Sequence, residues 1–258
     1  MTDRIMFGII GAIFGAVIGS FLNVCIVRLP AEQSVVRPGS RCPKCGYQLR
    51  WFDNIPMVSW LLLGGKCRKC GLPISPLYPL IELAVAMLWA AMAVHYGLTL
   101  EALRGALFGT ILLGIAMTDA REYIIPDEFT LGGLVIGLLF AAVGGWSALV
   151  QAVIGAAVGF GLLWLVGRLG AWFFKEDAMG GGDIKMMAMV GAFLGWQGVL
   201  LTIFLGALGG TVVFVPLRLV TKKKLLVPFG IFLAIGAAAT YLVGPAILTW
   251  YQSFLGAA

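Results

Sequence analysis

Two aspartates and four cysteines carry the chemistry this chain could do. Asp183 stands in Gly180-Gly181-Gly182-Asp183-Ile184-Lys185, directly before the apolar run Met186 to Phe193. A carboxylate at the lip of an apolar helix is expensive to desolvate, and glycines, lacking Cβ, let another backbone come close to it. The competing role is a helix cap, which Asp commonly fills. Asp119 lies near the end of its own apolar run, on one helical face with Leu112, Ile115 and Ala116. The helix dipole disfavours a negative charge there, so capping does not account for it. Two carboxyls within hydrogen-bond reach in a desolvated site cannot both ionise cheaply. One proton is then shared, leaving a carboxylate that can take a proton from water and an acid that can polarise a carbonyl. This is aspartic-protease chemistry; the pair titrates as a unit and needs no metal in the reaction.

The cysteines form two Cys-x-x-Cys pairs, Cys42-Pro43-Lys44-Cys45 and Cys67-Arg68-Lys69-Cys70, each followed by a glycine. The spacing approaches that of zinc ribbons, and four thiolates select zinc over harder cations. With all four positions filled, the metal would be structural. Two disulfides are the alternative, which a reducing compartment disfavours. Cys25, inside an apolar run, reads as a packing residue.

These residues must be positioned by a membrane protein. Sixty per cent of the chain is hydrophobic, 12% is charged, and the mean hydropathy is +0.99, far outside the range of a soluble domain. The apolar runs and turn signals predict an all-α polytopic membrane protein with about eight transmembrane helices, near 5–27, 77–95, 103–119, 128–144, 148–169, 183–195, 198–219 and 228–249. The weakest boundary is the brief Gly195-Trp196-Gln197 break. The first run is too long for a signal-peptide core and is expected to be retained. Alternating these spans puts all of the 18 Lys and Arg except Arg4 and Arg104 on one side. That side is therefore the cytoplasm, and it holds the one sizeable aqueous segment, the cysteine loop. The bias also explains the net charge of +6 without a nucleic-acid partner. Three parts result: a first helix (1–27), a cytoplasmic zinc-binding loop (28–76) and a helical bundle (77–258).

Five further features bear on the site. Asp127, after Pro126, is expected to N-cap the fourth span. Lys185 sits about 200° round the helix from Asp183 and is expected to meet lipid headgroups or the loop. Glu82, early in the second span, is either an interfacial acid satisfied by backbone or a basic loop residue, or a functional group. His95, beside Tyr96 at the other end of that span, is an ordinary interfacial residue. Glu122, Asp127, Glu128, Glu176 and Asp177 surround the two aspartates in sequence. They are either solvated loop residues or an anionic collar for a basic substrate.

Taken together, the motifs resemble those of the bacterial type IV prepilin peptidases, almost end to end. They are Gly19-Ser20-Phe21-Leu22-Asn23-Val24 with Arg28-Leu29-Pro30, the first cysteine pair, Asp53-Asn54-Ile55-Pro56, Ser59-Trp60-Leu61, Gly65-Lys66-Cys67-Arg68, Tyr78-Pro79 with Glu82, Ile125-Pro126-Asp127, Gly180-x-Gly182-Asp183 and Pro228-Phe229-Gly230. One departure is Leu77, where many members carry Arg. The resemblance implies catalytic aspartates at Asp119 and Asp183 and zinc on Cys42, Cys45, Cys67 and Cys70. It also implies an inner-membrane enzyme that removes the basic leader of prepilins and pseudopilins on the cytoplasmic side. The same enzyme would then N-methylate the new terminus with S-adenosylmethionine; no nucleotide-binding motif in the sequence itself indicates this step. A proton- or cation-conducting transporter would account for paired acids but not for the cysteine loop. A zinc-scaffolded assembly protein would account for the loop alone.

Overall fold

The computed structural model describes residues 2–175, 179–221 and 228–256. Among them the architecture is all helical: α1 (Thr2–Arg28), α2 (Val58–Leu62), α3 (Leu77–Tyr96), α4 (Leu100–Glu122), α5 (Asp127–Val143), α6 (Trp146–Phe174), α7 (Gly181–Thr221) and α8 (Phe229–Gly256), with one 3-10 turn at Trp51–Asn54. Six of these, α1, α3, α4, α6, α7 and α8, are long and apolar enough to cross a bilayer. The protein is a multi-pass membrane protein. The helix ends fall where the sequence breaks the pattern: Pro76 precedes α3, Pro126 precedes α5, and Gly97 and Gly145 take positive φ.

The chain forms two compact units, Met1–Thr110 and Ile111–Ala258, so α4 contributes to both. In the first unit α1 lies closely along α3. A Cβ at Gly15 would stand 2.7 Å from the Val85 carbonyl oxygen, and one at Gly19 would stand 2.8 Å from the Glu82 Cα, the small-residue packing that brings membrane helices together. The Trp89 indole N–H donates to Thr110 Oγ1 at 3.0 Å and ties α3 to the first half of α4.

In the second unit α7 cannot be one straight rod. Drawn straight it would be about 60 Å long, and the eight steps from Thr221 to Phe229 reach at most about 29 Å. Yet Ile125 lies against both starts: its Cβ is 2.8 Å from a Cβ position at Gly182, and its Cδ1 is 2.7 Å from one at Gly230. The chain therefore turns back within α7. The one non-helical residue there is Gly195 (φ 69°, ψ 177°), inside the expected Gly195-Trp196-Gln197 break. The first half of α7 packs between α5, with Met189 against Gly133 and Phe193 against Gly137, and α6, where Gly155 meets Gly191. The second half runs antiparallel to α8, with Gly206 at Leu233 and the Thr202 and Thr240 hydroxyls 3.2 Å apart in the core.

Candidate active site and metal centre

Three helix ends build the aspartate site, all in the second unit. Asp119 sits in the last turn of α4 and is buried, as are Leu112 and Ile115 on the face it shares. The expected clash with the α4 dipole is answered from α8. The Ile231 N–H, in the first turn of that helix, donates to Asp119 Oδ2 at 3.1 Å, so the positive end of one dipole offsets the negative end of another. Gly230 makes this possible, since a Cβ there would lie 2.9 Å from Asp119 Oδ2 and 2.7 Å from Ile125 Cδ1.

Asp183 is not the cap of α7. The helix begins at Gly181, so Asp183 is the third residue of the first turn. There one carboxylate oxygen turns back toward Gly180, whose backbone N–H hydrogen-bonds it, half of a capping box. The other oxygen, Oδ1, is buried with no hydrogen-bond partner among the described residues. Asp183 also lies within electrostatic reach of Asp119. A buried acceptor left empty beside a second buried carboxyl suits a proton shared between them or a held water.

Two expectations need correction. Pro126 is the residue before α5, and Asp127 opens the helix without a capping hydrogen bond. Asp127 instead takes Lys185 Nζ at 2.7 Å on both oxygens, so Lys185 is engaged by α5 rather than by headgroups. Both groups are well exposed, and the pair is worth about 0–1 kcal/mol. Of the suggested collar, Glu122 and Glu128 are exposed, Asp127 is paired, and Glu176 and Asp177 lie outside the described residues.

The cysteine cluster belongs to the first unit and is built twice from one pattern. In each half the first cysteine's N–H bonds a carbonyl five residues on (Cys42 to Tyr47, Cys67 to Leu72), and the glycine N–H bonds back to that cysteine (Gly46 to Cys42, Gly71 to Cys67). Gly46 and Gly71 sit at φ 67° and 68°, which only glycine adopts at no cost. The four sulfurs lie within 4.8 Å of one another, with Cys42–Cys70 at 3.7 Å and Cys45–Cys67 at 4.0 Å. These are not disulfides. A tetrahedral metal with sulfurs about 2.3 Å away needs them about 3.8 Å apart, so the donor set fits a metal ion. The N–H groups of Cys45 and Lys44 draw the Cys42 thiol down to about 6. Cys70 is pushed up to about 11: its Leu72 N–H works the other way but is outweighed by burial and the neighbouring thiols. A metal-free cluster thus releases one proton readily and holds another, and a cation is what would make all four thiolates.

The loop around the cysteines is pinned by Asp53, whose Oδ1 takes the Arg68 guanidinium at 2.7 Å and whose Oδ2 takes the Tyr47 hydroxyl and the Arg50 N–H. Burial works against its ionisation, but these donors hold its carboxyl below the usual range.

Residues 13–96 match the bacterial peptidase A24 N-terminal domain, and residues 106–215 match the type IV leader peptidase family. A prepilin leader peptidase/N-methyltransferase of Pseudomonas aeruginosa is 37% identical over 95% of this chain and 93% of its own length. The chain belongs to the type IV leader peptidase family. A relative of the same name from Stutzerimonas stutzeri is 36% identical over 98% of the chain and 96% of its own length. Another, from Myxococcus xanthus, is 39% identical over 84% of the chain but 65% of its own length. No solved structure gives a significant match.

As a leader peptidase, the chain has parts that residue-by-residue reading did not reach. The α8 amides at Asp119 are one, although Pro228-Phe229-Gly230 marked the place. Ile125, wedged between Gly182 and Gly230, is another. Glu82 is buried, and it is satisfied by backbone rather than by a basic residue: the Met57 N–H donates to its Oε2 at 2.6 Å.

Proposed function

We propose that this protein is a membrane-embedded aspartic endopeptidase that cuts the short basic leader from type IV prepilins and pseudopilins at the cytoplasmic face. It then methylates the new N-terminal amine. The relatives' names carry both activities. The observation that most supports the cleavage reading is the convergence of Asp119 and Asp183 at three helix ends, with a buried Asp183 oxygen that has no hydrogen-bond partner among the described residues. In this reading the two aspartates share one proton. The charged member takes a proton from water, the other polarises the scissile carbonyl, and the leaving amine is protonated as the tetrahedral diol collapses. Acids at helix ends also suit a protease better than a transporter, whose sites lie near mid-membrane.

Cys42, Cys45, Cys67 and Cys70 would hold one structural zinc, and S-adenosylmethionine would supply the methyl group in or beside the cysteine loop (28–76). The bundle 77–258 would carry the protease. Counting α5 and the two halves of α7 as crossings makes eight, with the basic loops in the cytoplasm and the enzyme in the inner membrane. Incubating the purified protein with prepilins and S-adenosylmethionine tests this. Mass spectrometry should find leader loss and a gain of one methyl group; intact prepilin throughout would overturn the reading.

A further inference from the structure

The first unit contains a cavity of about 350 Å³ that the aspartate site does not use. Its walls come from the end of α1, the start of α3 and the cysteine loop, including Ser20, Asn23, Met57, Tyr78 and Glu82. Glu82 is 9% exposed. Its neighbours supply hydrogen bonds but no charge: the Met57 N–H on Oε2, and the Ser20 hydroxyl. No Lys, Arg or His among the described residues pairs with it. Three arginines line the same cavity: Arg68 is held by Asp53, Arg28 donates to the Ser34 and Gly39 carbonyls, and Arg41 forms no ion pair with Glu82.

Met57 adds a second, independent observation. Its φ of 59° and ψ of −46° are strained for a side-chain-bearing residue. The Val58 N–H bonds back to the Pro56 carbonyl around it, a γ-turn of the rare positive-φ kind. That strained turn aims the Met57 N–H at Glu82 and so fixes one carboxylate oxygen at the cavity wall. Strain of this sort is characteristic of ligand clamps.

We infer that this cavity is the cation subsite of the methyl-transfer reaction, with Glu82 as counter-charge to a cationic centre on a small, partly apolar ligand. The inference rests on the proposed methyltransferase activity, whose reactants supply two such centres: the sulfonium of the donor and the ammonium of the cut peptide before it loses a proton. A buried carboxylate without a basic partner favours either over a neutral analogue.

The test uses the full-length protein in detergent, as wild type, Glu82→Gln and Glu82→Asp. Equilibrium dialysis measures S-adenosylmethionine against its neutral product S-adenosylhomocysteine. It also measures a peptide with a free N-terminal phenylalanine against its N-acetylated form. Zinc content and leader cleavage report that each variant is folded. Glu82→Gln should weaken one cationic probe by about 30-fold relative to its neutral counterpart, with Glu82→Asp recovering part of the loss. The probe affected identifies the centre as sulfonium or ammonium. Unchanged affinity for both cations, or equal loss for charged and neutral probes, would overturn the inference. A wild type that binds both probes but never methylates would instead sink the proposed activity.

Discussion

The cysteine cluster and the aspartate pair are built on opposite plans. Each half of the cluster is a few residues folded on themselves, and the same hydrogen bonds and the same positive-φ glycine recur in both. The aspartate site is assembled from the end of α4 and the starts of α7 and α8, and its key bond joins residues 112 apart in sequence. The local site depends on its turns and on whatever cation neutralises four sulfurs. The distant one depends on helix packing that holds a carboxylate and a dipole in register. Damage to one should therefore leave the other standing.

The largest effect that would sharpen this contrast comes from the carboxyls. Asp119→Asn and Asp183→Asn should each reduce leader cleavage by several orders of magnitude, and the double variant by little more, because groups acting as a unit are not additive. Zinc content should stay at wild-type level. A detergent-based cleavage assay beside metal analysis reads both, and robust cleavage by either single variant would break the pairing. Next come the cysteines. Replacing Cys42 and Cys45 by serine should remove the metal and with it most methylation, while cleavage falls far less. Metal binding should also weaken as pH drops, since protons compete with the metal for the thiolates that bind it.

Gly230→Ala is the sharper probe of assembly at a distance. Its methyl group would press on Asp119 Oδ2 and Ile125 Cδ1, so cleavage should drop by about 10- to 100-fold, in keeping with the cost of small misplacements at a reacting centre. Methylation of a precut peptide should hold. The smallest effect is expected at Asp127. Asp127→Asn removes only an exposed ion pair with Lys185, worth about 0–1 kcal/mol, and cleavage should stay within about twofold. A large loss there would move Asp127 into the machinery.

Asp119, Asp183 and the four cysteines could be picked out of the bare sequence because membrane burial and metal binding are each so selective about residue type. The cysteine geometry was legible as well, since spacing and a following glycine specify a turn locally. The Gly195 break was legible as a boundary between two alternating spans, and the reversal this implies agrees with Ile125 touching both Gly182 and Gly230. Asp127 and Lys185 were misread for a related reason. An N-terminal Asp after Pro looks like a cap, and only the parallel packing of α5 on α7 brings Lys185 to it. Composition and spacing thus determined the class, the membrane character and which side chains were candidates for chemistry. The amides that receive Asp119, the unpaired oxygen of Asp183 and the strained turn at Glu82 were decided by tertiary structure, because each depends on where a distant backbone comes to rest.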